Sequence, residues 1–168
     1  MVLIGMMGSG KTSVGRELAG LLGCPWTDLD VALERRYRRS VARQFETAGE
    51  ALFRRRESGL LRELAAASTG VLSAGGGVVL AEANRALLKR LATVYLQVSP
   101  RALAARLQGP QARLRPLLRG GDPETVLRRM AALRSPLYRS CAAITVRASQ
   151  GTPAEVARRV CRRLDRAT

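Results

Sequence analysis

The sequence predicts an α/β fold in which helices cover both faces of a parallel sheet. Short apolar segments alternate along the chain with longer segments whose apolar residues recur at helical spacing. Strands separated by helices form βαβ units, and right-handed crossovers bring the C-terminal ends of all strands to one edge of the sheet. A glycine-rich stretch, GMMGSGKT, follows the first apolar segment, so this edge is predicted to bind phosphate.

Short apolar segments are the predicted strands, and the amphipathic segments are the predicted helices. The strands are 1–4, 24–28, 70–74, 92–98 and 141–147. The helices are 11–22, 31–37, 49–67, 82–90, 100–107, 123–134 and 152–165. The helix before Pro136 is expected to end near Arg134, because a proline disfavours helical geometry in the residue that precedes it. With 168 residues, the chain is expected to form one domain.

Residues 108–122 interrupt the alternation of strands and helices. Glycines and prolines lie at both ends of this segment, and three arginines lie between them. The segment is either a surface loop with basic side chains or a mobile flap that brings an arginine to a phosphate.

The composition excludes several kinds of protein and site. Hydrophobic residues make up 46% and charged residues 25% of the chain, which is typical of a globular protein and not of a disordered or fibrous one. There is no histidine, so histidine-based triads, general bases and metal ligands are excluded. The three cysteines, Cys24, Cys141 and Cys161, are odd in number and far apart, which predicts neither a disulfide framework nor a paired-cysteine zinc site.

The chain is strongly basic, with a formal net charge of +16. Such a surface attracts phosphates, carboxylates or nucleic acid, whereas GC-rich codon usage explains the same excess of arginine without any ligand. With 2 Phe, 1 Trp and 3 Tyr, the chain has few rings on which bases could stack, and no nucleic-acid partner is expected. The sequence shows neither a targeting segment nor an apolar run of membrane-spanning length, which predicts a cytoplasmic protein without a membrane partner.

The stretch from Gly5 to Thr12 reads G-x-x-x-x-G-K-[ST], the spacing of a loop that cradles phosphates. Glycines allow the backbone N–H groups to point inward, and the following helix adds partial positive charge at its N-terminus. Lys11 is expected to bridge the terminal phosphates, and the Thr12 hydroxyl to face Mg²⁺. A glycine-rich turn with an incidental lysine is the alternative. The expected ATP-binding residues of this stretch are Gly8, Ser9, Gly10, Lys11, Thr12 and Ser13.

Two carboxylates, Asp28 and Asp30, end the second predicted strand. Residues i and i+2 of an extended chain point to the same side, so both can face the active edge of the sheet. Asp28 would then face the water molecules around magnesium, and Asp30 a substrate hydroxyl. Alternatively, Asp30 is the N-cap of the helix that follows.

A charged pair of residues predicts binding of a small anion. On the helix 49–67, Glu57 shares a face with apolar residues and therefore needs a cation, which Arg54 supplies from three positions earlier. An arginine tethered in this way is a fork for a carboxylate or phosphate, although a purely structural ion pair is the alternative.

Three glycines, Gly75, Gly76 and Gly77, follow the third strand and predict a close approach by a ligand; a tight turn is the alternative. Arg134 precedes a proline in the stretch RSPLY. Considered alone, Arg134 is explained by charge compensation at a helix C-terminus.

Taken together, these motifs closely resemble the shikimate kinase family of P-loop small-molecule kinases. The chain contains GMMGSGKT, DLD, GEALFRRRE, GGG, RPL at 115–117 and RSPLY in the family's order. The resemblance covers about residues 1 to 165. It implies a P-loop NTPase-type three-layer α/β/α fold, a strand order of 2-3-1-4-5, and transfer of the γ-phosphoryl group of ATP, with Mg²⁺, to the 3-hydroxyl of shikimate.

The resemblance also implies roles for individual residues. Arg54, supported by Glu57, and Arg134 would hold the shikimate carboxylate, and Asp30 would bind ring hydroxyls and accept a proton. The backbone at Gly75, Gly76 and Gly77 would approach the substrate. Arg106 would lie beside the adenine, Arg115 would close from a lid at about 108–122, and Thr12, with Asp28 through water, would hold Mg²⁺. Residues of about 30–60 would form the substrate-binding region of a monomeric single kinase domain, residues 1–168.

The chain departs from the family pattern near residue 40. The family usually has a glycine just before the stretch at Ser40, and this chain has Arg38 and Arg39 there instead. Gln44 occupies a position at which an apolar residue is common. Two rival interpretations remain at this stage. One is a related kinase that acts on gluconate, which leaves F-R-x-x-E and R-x-P-L-Y unexplained. The other is a basic nucleic-acid-binding protein that keeps a nucleotide-binding fold.

Overall fold

The computed structural model describes residues 1–67, 69–108 and 122–166, and it contains one parallel sheet. The strands are β1 (Val2–Ile4), β2 (Trp26–Asp28), β3 (Val71–Ser73), β4 (Thr93–Gln97) and β5 (Ile144–Arg147). Their order is β2-β3-β1-β4-β5, as predicted, with helices on both sides. The predicted α/β fold and strand order are therefore confirmed.

Seven α-helices connect or follow the strands in the described part of the chain. They are α1 (Lys11–Leu22), α2 (Leu29–Tyr37), α3 (Val41–Ala67), α4 (Glu82–Leu88), α5 (Pro100–Arg106), α6 (Pro123–Cys141) and α7 (Pro153–Asp165). A 3₁₀ turn at Val78–Leu80 precedes α4. The chain packs α1 against α7, and α6 against α4 and α5.

The central strand β1 pairs with β3 on one side and β4 on the other. Leu3 lies opposite Ser73 of β3 and Val94 of β4, and β1 is buried along its whole length. Burial on both faces explains why its side chains are all apolar. Within the described ranges, no helix is long and apolar enough to cross a membrane.

Helix α3 begins earlier than predicted, at Val41 instead of residue 49. Gly49 has non-helical angles (φ 74°, ψ 162°) and separates a short first part of the helix from a longer second part. The rings of Phe45 and Phe53 lie 4.3 Å apart across this kink. Because the first part is short and half of its residues are polar, its helical conformation depends on this packing more than on its own sequence.

The prediction that Pro136 ends its helix was wrong. Helix α6 continues through Pro136 to Cys141, so β5 begins at Ile144 and not at residue 141. Pro136 cannot donate to the carbonyl of Ala132, and both residues are exposed, so water can satisfy that carbonyl. The uninterrupted helix places Arg134 and Tyr138 on the same buried face, one turn apart.

Candidate active site

The phosphate-binding loop lies between the end of β1 and the start of α1. Gly8 (φ 74°) and Gly10 (φ 90°) have positive φ angles that favour glycine, and α1 begins at Lys11. The Lys11 ammonium donates hydrogen bonds of 3.0 Å to the carbonyls of Gly5 and Met6. The motif therefore forms the predicted loop, with its lysine folded over the loop backbone.

A hydroxyl and a carboxylate meet beside this loop. Thr12 Oγ1 donates to Asp28 Oδ2 at 2.7 Å, while Asp28 Oδ1 accepts from the backbone N–H of Asp30 (3.0 Å) and of Val31 (3.3 Å). Asp28 is thus the N-cap of α2, and the interpretation of Asp30 as that cap was wrong. Asp30 lies in the first turn of α2, so its carboxylate is not used to cap the helix.

The same loop borders a cleft of about 240 Å³. Predicted ATP-binding residues line it, namely Gly8, Ser9, Gly10, Ser13 and Arg106. Arg106 donates to the carbonyls of Ala148 (2.6 Å), Ser149 (3.2 Å) and Gly8 (3.4 Å), so it joins the loop to the segment after β5.

Sequence reasoning missed the far wall of this cleft. Ala148, Gly151 and Pro153 line it from the connection between β5 and α7. The available signal was their position: a glycine-containing connection after a parallel strand lies at the same edge of the sheet as the phosphate loop.

On the other side of the loop, Arg54 is held by two carboxylates and two aromatic rings. Its Nη1 donates to Glu57 Oε2 at 2.7 Å, and its Nε and Nη2 donate to Glu50 Oε1 at 3.3 and 3.2 Å. The guanidinium carbon lies 5.3 Å from the ring centres of both Phe45 and Phe53. Glu57 is buried, whereas Glu50 is exposed, so the inner partner orients the fork and the outer one reaches solvent.

Glu57 is surrounded by three other charged groups. Burial raises the pKa of Glu57, and the cations Arg54 and Arg134 oppose that shift. The Asp30 carboxylate acts in the same direction as burial, because two anions close together disfavour ionisation. Asp30, Arg54, Glu57 and Arg134 therefore form one electrostatic cluster from three helices.

The glycine turn after β3 is needed because charged side chains pack directly against it. A Cβ on Gly75 would overlap the Glu57 carboxylate and would lie 3.1 Å from Asp30 Oδ1. A Cβ on Gly77 would overlap the Arg54 guanidinium. Any larger residue at these two positions would displace the cluster, so the bare backbone is needed here for the protein's own charged side chains; the predicted approach of a ligand stays a prediction.

Gly76 connects the cluster with helix α6 and with the phosphate loop. Its carbonyl accepts from Tyr138 Oη at 2.5 Å and from Arg134 Nη1 at 3.4 Å. A Cβ on Gly76 would lie 3.3 Å from the backbone nitrogen of Met7. Since α6 continues to Cys141, Arg134 does not lie at the helix C-terminus, and charge compensation there does not explain it.

The two predicted guanidinium groups thus meet at one turn. Arg54 of α3 lies against Gly77, and Arg134 of α6 donates to Gly76. The predicted lid, with Arg115, falls almost wholly at 109–121 and lies outside the described residues. Its C-terminal boundary is Asp122, the N-cap of α6, which accepts from the Thr125 N–H at 2.8 Å.

Comparison with known proteins covers nearly the whole chain. Residues 7–165 match the family model described as shikimate kinase. The chain belongs to the shikimate kinase family. Shikimate kinase from Chromohalobacter salexigens is 43% identical over 167 residues, which are 99% of this chain and 92% of the relative. The Mycobacterium tuberculosis shikimate kinase is 42% identical over 163 residues, 97% and 92% of the two chains.

Solved shikimate kinase structures share the fold. Shikimate kinase from Acinetobacter baumannii, in complex with shikimate, matches with a TM-score of 0.93 and 37% identity over 98% of this chain and 92% of that chain. A gluconokinase from Sinorhizobium meliloti matches with a TM-score of 0.65 and 23% identity over 98% and 90% of the two chains, which shows a common fold only. The family predicted from the ordered motifs is confirmed.

Proposed function

We propose that this chain transfers the γ-phosphoryl group of ATP to the 3-hydroxyl of shikimate, giving shikimate 3-phosphate and ADP. The observation that carries the proposal is the meeting of two guanidinium groups at a glycine turn that also touches the phosphate loop. A small carboxylate bound by both guanidiniums would lie next to the nucleotide phosphates. Membership of the shikimate kinase family identifies that carboxylate as shikimate.

In this proposal, Arg54 and Arg134 bind the shikimate carboxylate. Guanidinium groups suit the task because they form paired, charge-assisted hydrogen bonds with a carboxylate. Glu57 keeps Arg54 in place through the buried 2.7 Å ion pair, so little side-chain entropy is lost when the substrate binds. The backbone of Gly75, Gly76 and Gly77 lines the same site.

Asp30 is the proposed acceptor of the proton from the 3-hydroxyl. Its carboxylate lies beside the glycine turn, close enough to Glu57 to influence the pKa of that group. In the reaction, the hydroxyl proton passes to Asp30, the substrate oxygen bonds to the γ-phosphorus, and the bond from that phosphorus to the bridging oxygen of ADP breaks. No covalent enzyme intermediate is required.

The nucleotide is proposed to lie along the phosphate loop and the adjoining cleft. Backbone N–H groups from Gly8 to Thr12 and the Lys11 ammonium would bind the phosphates. Ser13 and Arg106 line the cleft and would contact the nucleoside. Arg115 keeps its predicted role of closing onto the phosphates from the lid, and it lies outside the described residues.

The pairing of Thr12 with Asp28 fits Mg²⁺. Hydroxyl and carboxylate oxygens are the ligands that this ion prefers, and it usually takes few protein ligands besides phosphates and water. Among the described residues there is no group of three or more acidic, cysteine or histidine side chains that could hold a metal. When bound, Mg²⁺ neutralises charge on the β- and γ-phosphate oxygens. Asp28 and Thr12 would hold it while Asp28 continues to cap α2.

We further propose that the chain acts as a cytoplasmic monomer that forms a single kinase domain over residues 1–168. All the groups assigned above come from one chain, so no second copy is needed to complete the site. The high positive charge would concentrate anionic substrates near the site and would not serve to bind nucleic acid.

A coupled assay of ADP release tests the function. With ATP, Mg²⁺ and shikimate, the wild-type chain should turn over, and Asp30→Asn should lower kcat by about 100-fold or more, since the base is lost while the shape is kept. ADP binding, followed by the fluorescence of Trp26, the one tryptophan of the chain, should stay unchanged. Asp165→Asn, at the exposed end of α7, is the matched control and should change neither quantity.

Two results would contradict the proposal. Turnover of gluconate without turnover of shikimate would assign the site to another acceptor. An absence of kinase activity together with salt-sensitive binding of DNA or RNA would favour the nucleic-acid-binding alternative. If shikimate is phosphorylated but Asp30→Asn matches the wild type, only the role of Asp30 is wrong.

A further inference from the structure

Tyr138 is a buried tyrosine whose hydroxyl faces the candidate site. It lies in the last part of α6 and is fully buried, and its ring stacks on that of Tyr95 at 4.9 Å. The hydroxyl donates to the Gly76 carbonyl at 2.5 Å, with Met6 Sδ farther away at 3.8 Å. A buried hydroxyl needs a hydrogen-bond partner, and this one has found it in the glycine turn.

The Gly76 carbonyl receives two donors of unequal strength. The 2.5 Å distance to Tyr138 Oη is short, whereas the 3.4 Å distance to Arg134 Nη1 is near the limit of a hydrogen bond. Tyr138 therefore satisfies most of the carbonyl's demand. As a result, the guanidinium of Arg134 is only weakly engaged by the protein backbone.

Because Tyr138 satisfies most of the Gly76 carbonyl, the Arg134 guanidinium remains available to an external anion. Arg134 is 9% exposed, so it has little access to water and few ways to satisfy its five N–H groups. Without the tyrosine hydroxyl, the Gly76 carbonyl would lose its short hydrogen bond, and Arg134 is already within reach of it at 3.4 Å. The guanidinium would then be drawn toward the backbone and away from a bound carboxylate.

The charge state of Tyr138 is consistent with a permanent donor. Burial raises the pKa of Tyr138, and the nearby Arg134 cation only partly opposes that shift. The hydroxyl therefore keeps its proton throughout the neutral range.

We propose that Tyr138 is a positioning residue for the acceptor substrate: by donating to the Gly76 carbonyl, it keeps the Arg134 guanidinium free to bind the shikimate carboxylate. The inference rests on the proposed function. It adds a residue that does not touch the substrate and acts through a backbone carbonyl and a neighbouring arginine.

The test compares two tyrosines that stack on each other. Tyr138→Phe removes the hydroxyl that reaches Gly76, and Tyr95→Phe removes one that lies 3.5 Å from Ser135 Oγ, outside the site. Tyr138→Phe should lower kcat/KM for shikimate about tenfold, the size expected from loss of one buried hydrogen bond, and leave KM for ATP within about twofold. Tyr95→Phe should keep both constants within about twofold of the wild type.

A double-mutant cycle separates positioning from general packing. If Tyr138 acts through Arg134, then Tyr138→Phe should cause little further loss in a protein that already carries Arg134→Met. All four proteins are assayed at a temperature at which circular dichroism shows them folded. Independent, additive losses would overturn the inference, as would a Tyr138→Phe variant with the shikimate kinetics of Tyr95→Phe.

Failure of the proposed function would look different. A wild-type chain that neither binds shikimate in calorimetry nor phosphorylates it would overturn the function and this role together. A wild-type chain that phosphorylates shikimate, with identical kinetics in the two phenylalanine variants, would overturn the role of Tyr138 alone.

Discussion

The two halves of the site are built in opposite ways. On the nucleotide side, the phosphate loop is one continuous stretch, and Lys11 bonds to carbonyls only five and six residues away. On the acceptor side, Arg54 and Glu57 come from one helix and Arg134 from another, and all three lie at the glycine turn that follows β3. The first half consists mainly of backbone, and the second consists mainly of buried charged side chains.

This difference predicts different sensitivity to substitution. A loop of backbone N–H groups tolerates the loss of one neighbouring side chain, because its donors remain. A buried cluster of charges does not, because removal of one member leaves the others without their partner. Substitutions in the acceptor half should therefore cost both binding and much stability, whereas substitutions in the nucleotide half should cost less stability.

The largest effect is expected at Arg54. Arg54→Met should lower kcat/KM for shikimate by about 10- to 100-fold, because two charge-assisted hydrogen bonds are lost. It should also lower the free energy of unfolding by about 3–5 kcal/mol, since Glu57 stays buried without its 2.7 Å partner. Arg55→Met, at the exposed neighbouring position, should change stability by less than about 0.5 kcal/mol. Steady-state kinetics and urea unfolding measure both effects.

The stability loss in Arg54→Met should depend on pH. Burial holds the pKa of Glu57 above its ordinary value of 4.5, and removal of Arg54 raises it further. A carboxyl group with a raised folded pKa contributes stability that is fully present below its ordinary pKa and is lost as the pH rises through the folded pKa. The gap in stability between wild type and variant should therefore widen as the pH rises above the folded pKa of Glu57 in the wild type, which itself lies above 4.5, and a gap that is constant with pH would contradict the cluster.

A smaller effect is expected behind the phosphate loop. Ser73 Oγ donates to the Lys11 carbonyl at 2.8 Å and accepts from Trp26 Nε1 at 3.1 Å, so it ties β2 and β3 to the first turn of α1. Ser73→Ala should cost about 1–2 kcal/mol of stability and raise KM for ATP by about 3- to 10-fold, with KM for shikimate nearly unchanged. A larger rise in KM for shikimate than in KM for ATP would contradict the separation of the site into a nucleotide half and an acceptor half.

The control for Ser73→Ala is Ser140→Ala. Ser140 is exposed, and its hydroxyl donates at 2.9 Å to the Leu137 carbonyl within its own helix. Loss of the Ser140 hydroxyl should leave the KM values for ATP and shikimate unchanged.

The smallest effect is expected outside both halves, at the end of α2. Arg38 is the only non-glycine residue with a positive φ (52°) in the ranges that the structure describes. Arg38→Gly should raise the free energy of unfolding by about 0.5–1 kcal/mol, because glycine adopts this left-handed conformation without strain. Activity should stay the same. Arg39→Gly, which relieves no such strain, should destabilise the protein, and equal effects of the two substitutions would contradict the explanation.

The sequence predicted well whatever depends on contiguous residues. The phosphate loop, the glycine turn and the pairing of Arg54 with Glu57 all follow from spacing along one element, because neighbours on a helix or in a tight loop meet whatever the rest of the chain does. The family was predicted from the order of the motifs, and the strand order from the resemblance to that family.

Contacts between distant elements were the least predictable. Pro136 suggested a helix end, yet packing of the buried face keeps α6 continuous to Cys141. Asp30 was the candidate for capping, whereas the structure gives that role to Asp28, because α2 begins directly after β2. Glu50 as the outer partner of Arg54 also went unpredicted, although it lies on the same helix, because exposed glutamates four residues from an arginine are common.

The chain's own sequence determined a phosphate-binding α/β kinase fold and the residue types for two charged ligands, because local backbone geometry and short-range pairing are encoded by neighbouring residues. Only the tertiary structure decided that Arg54 and Arg134 share one turn, that Tyr138 donates to the Gly76 carbonyl, and that the segment after β5 closes the nucleotide cleft. Those contacts join residues that are distant in the chain, such as Gly76 and Tyr138, which are 62 positions apart, and packing of the elements brings them together.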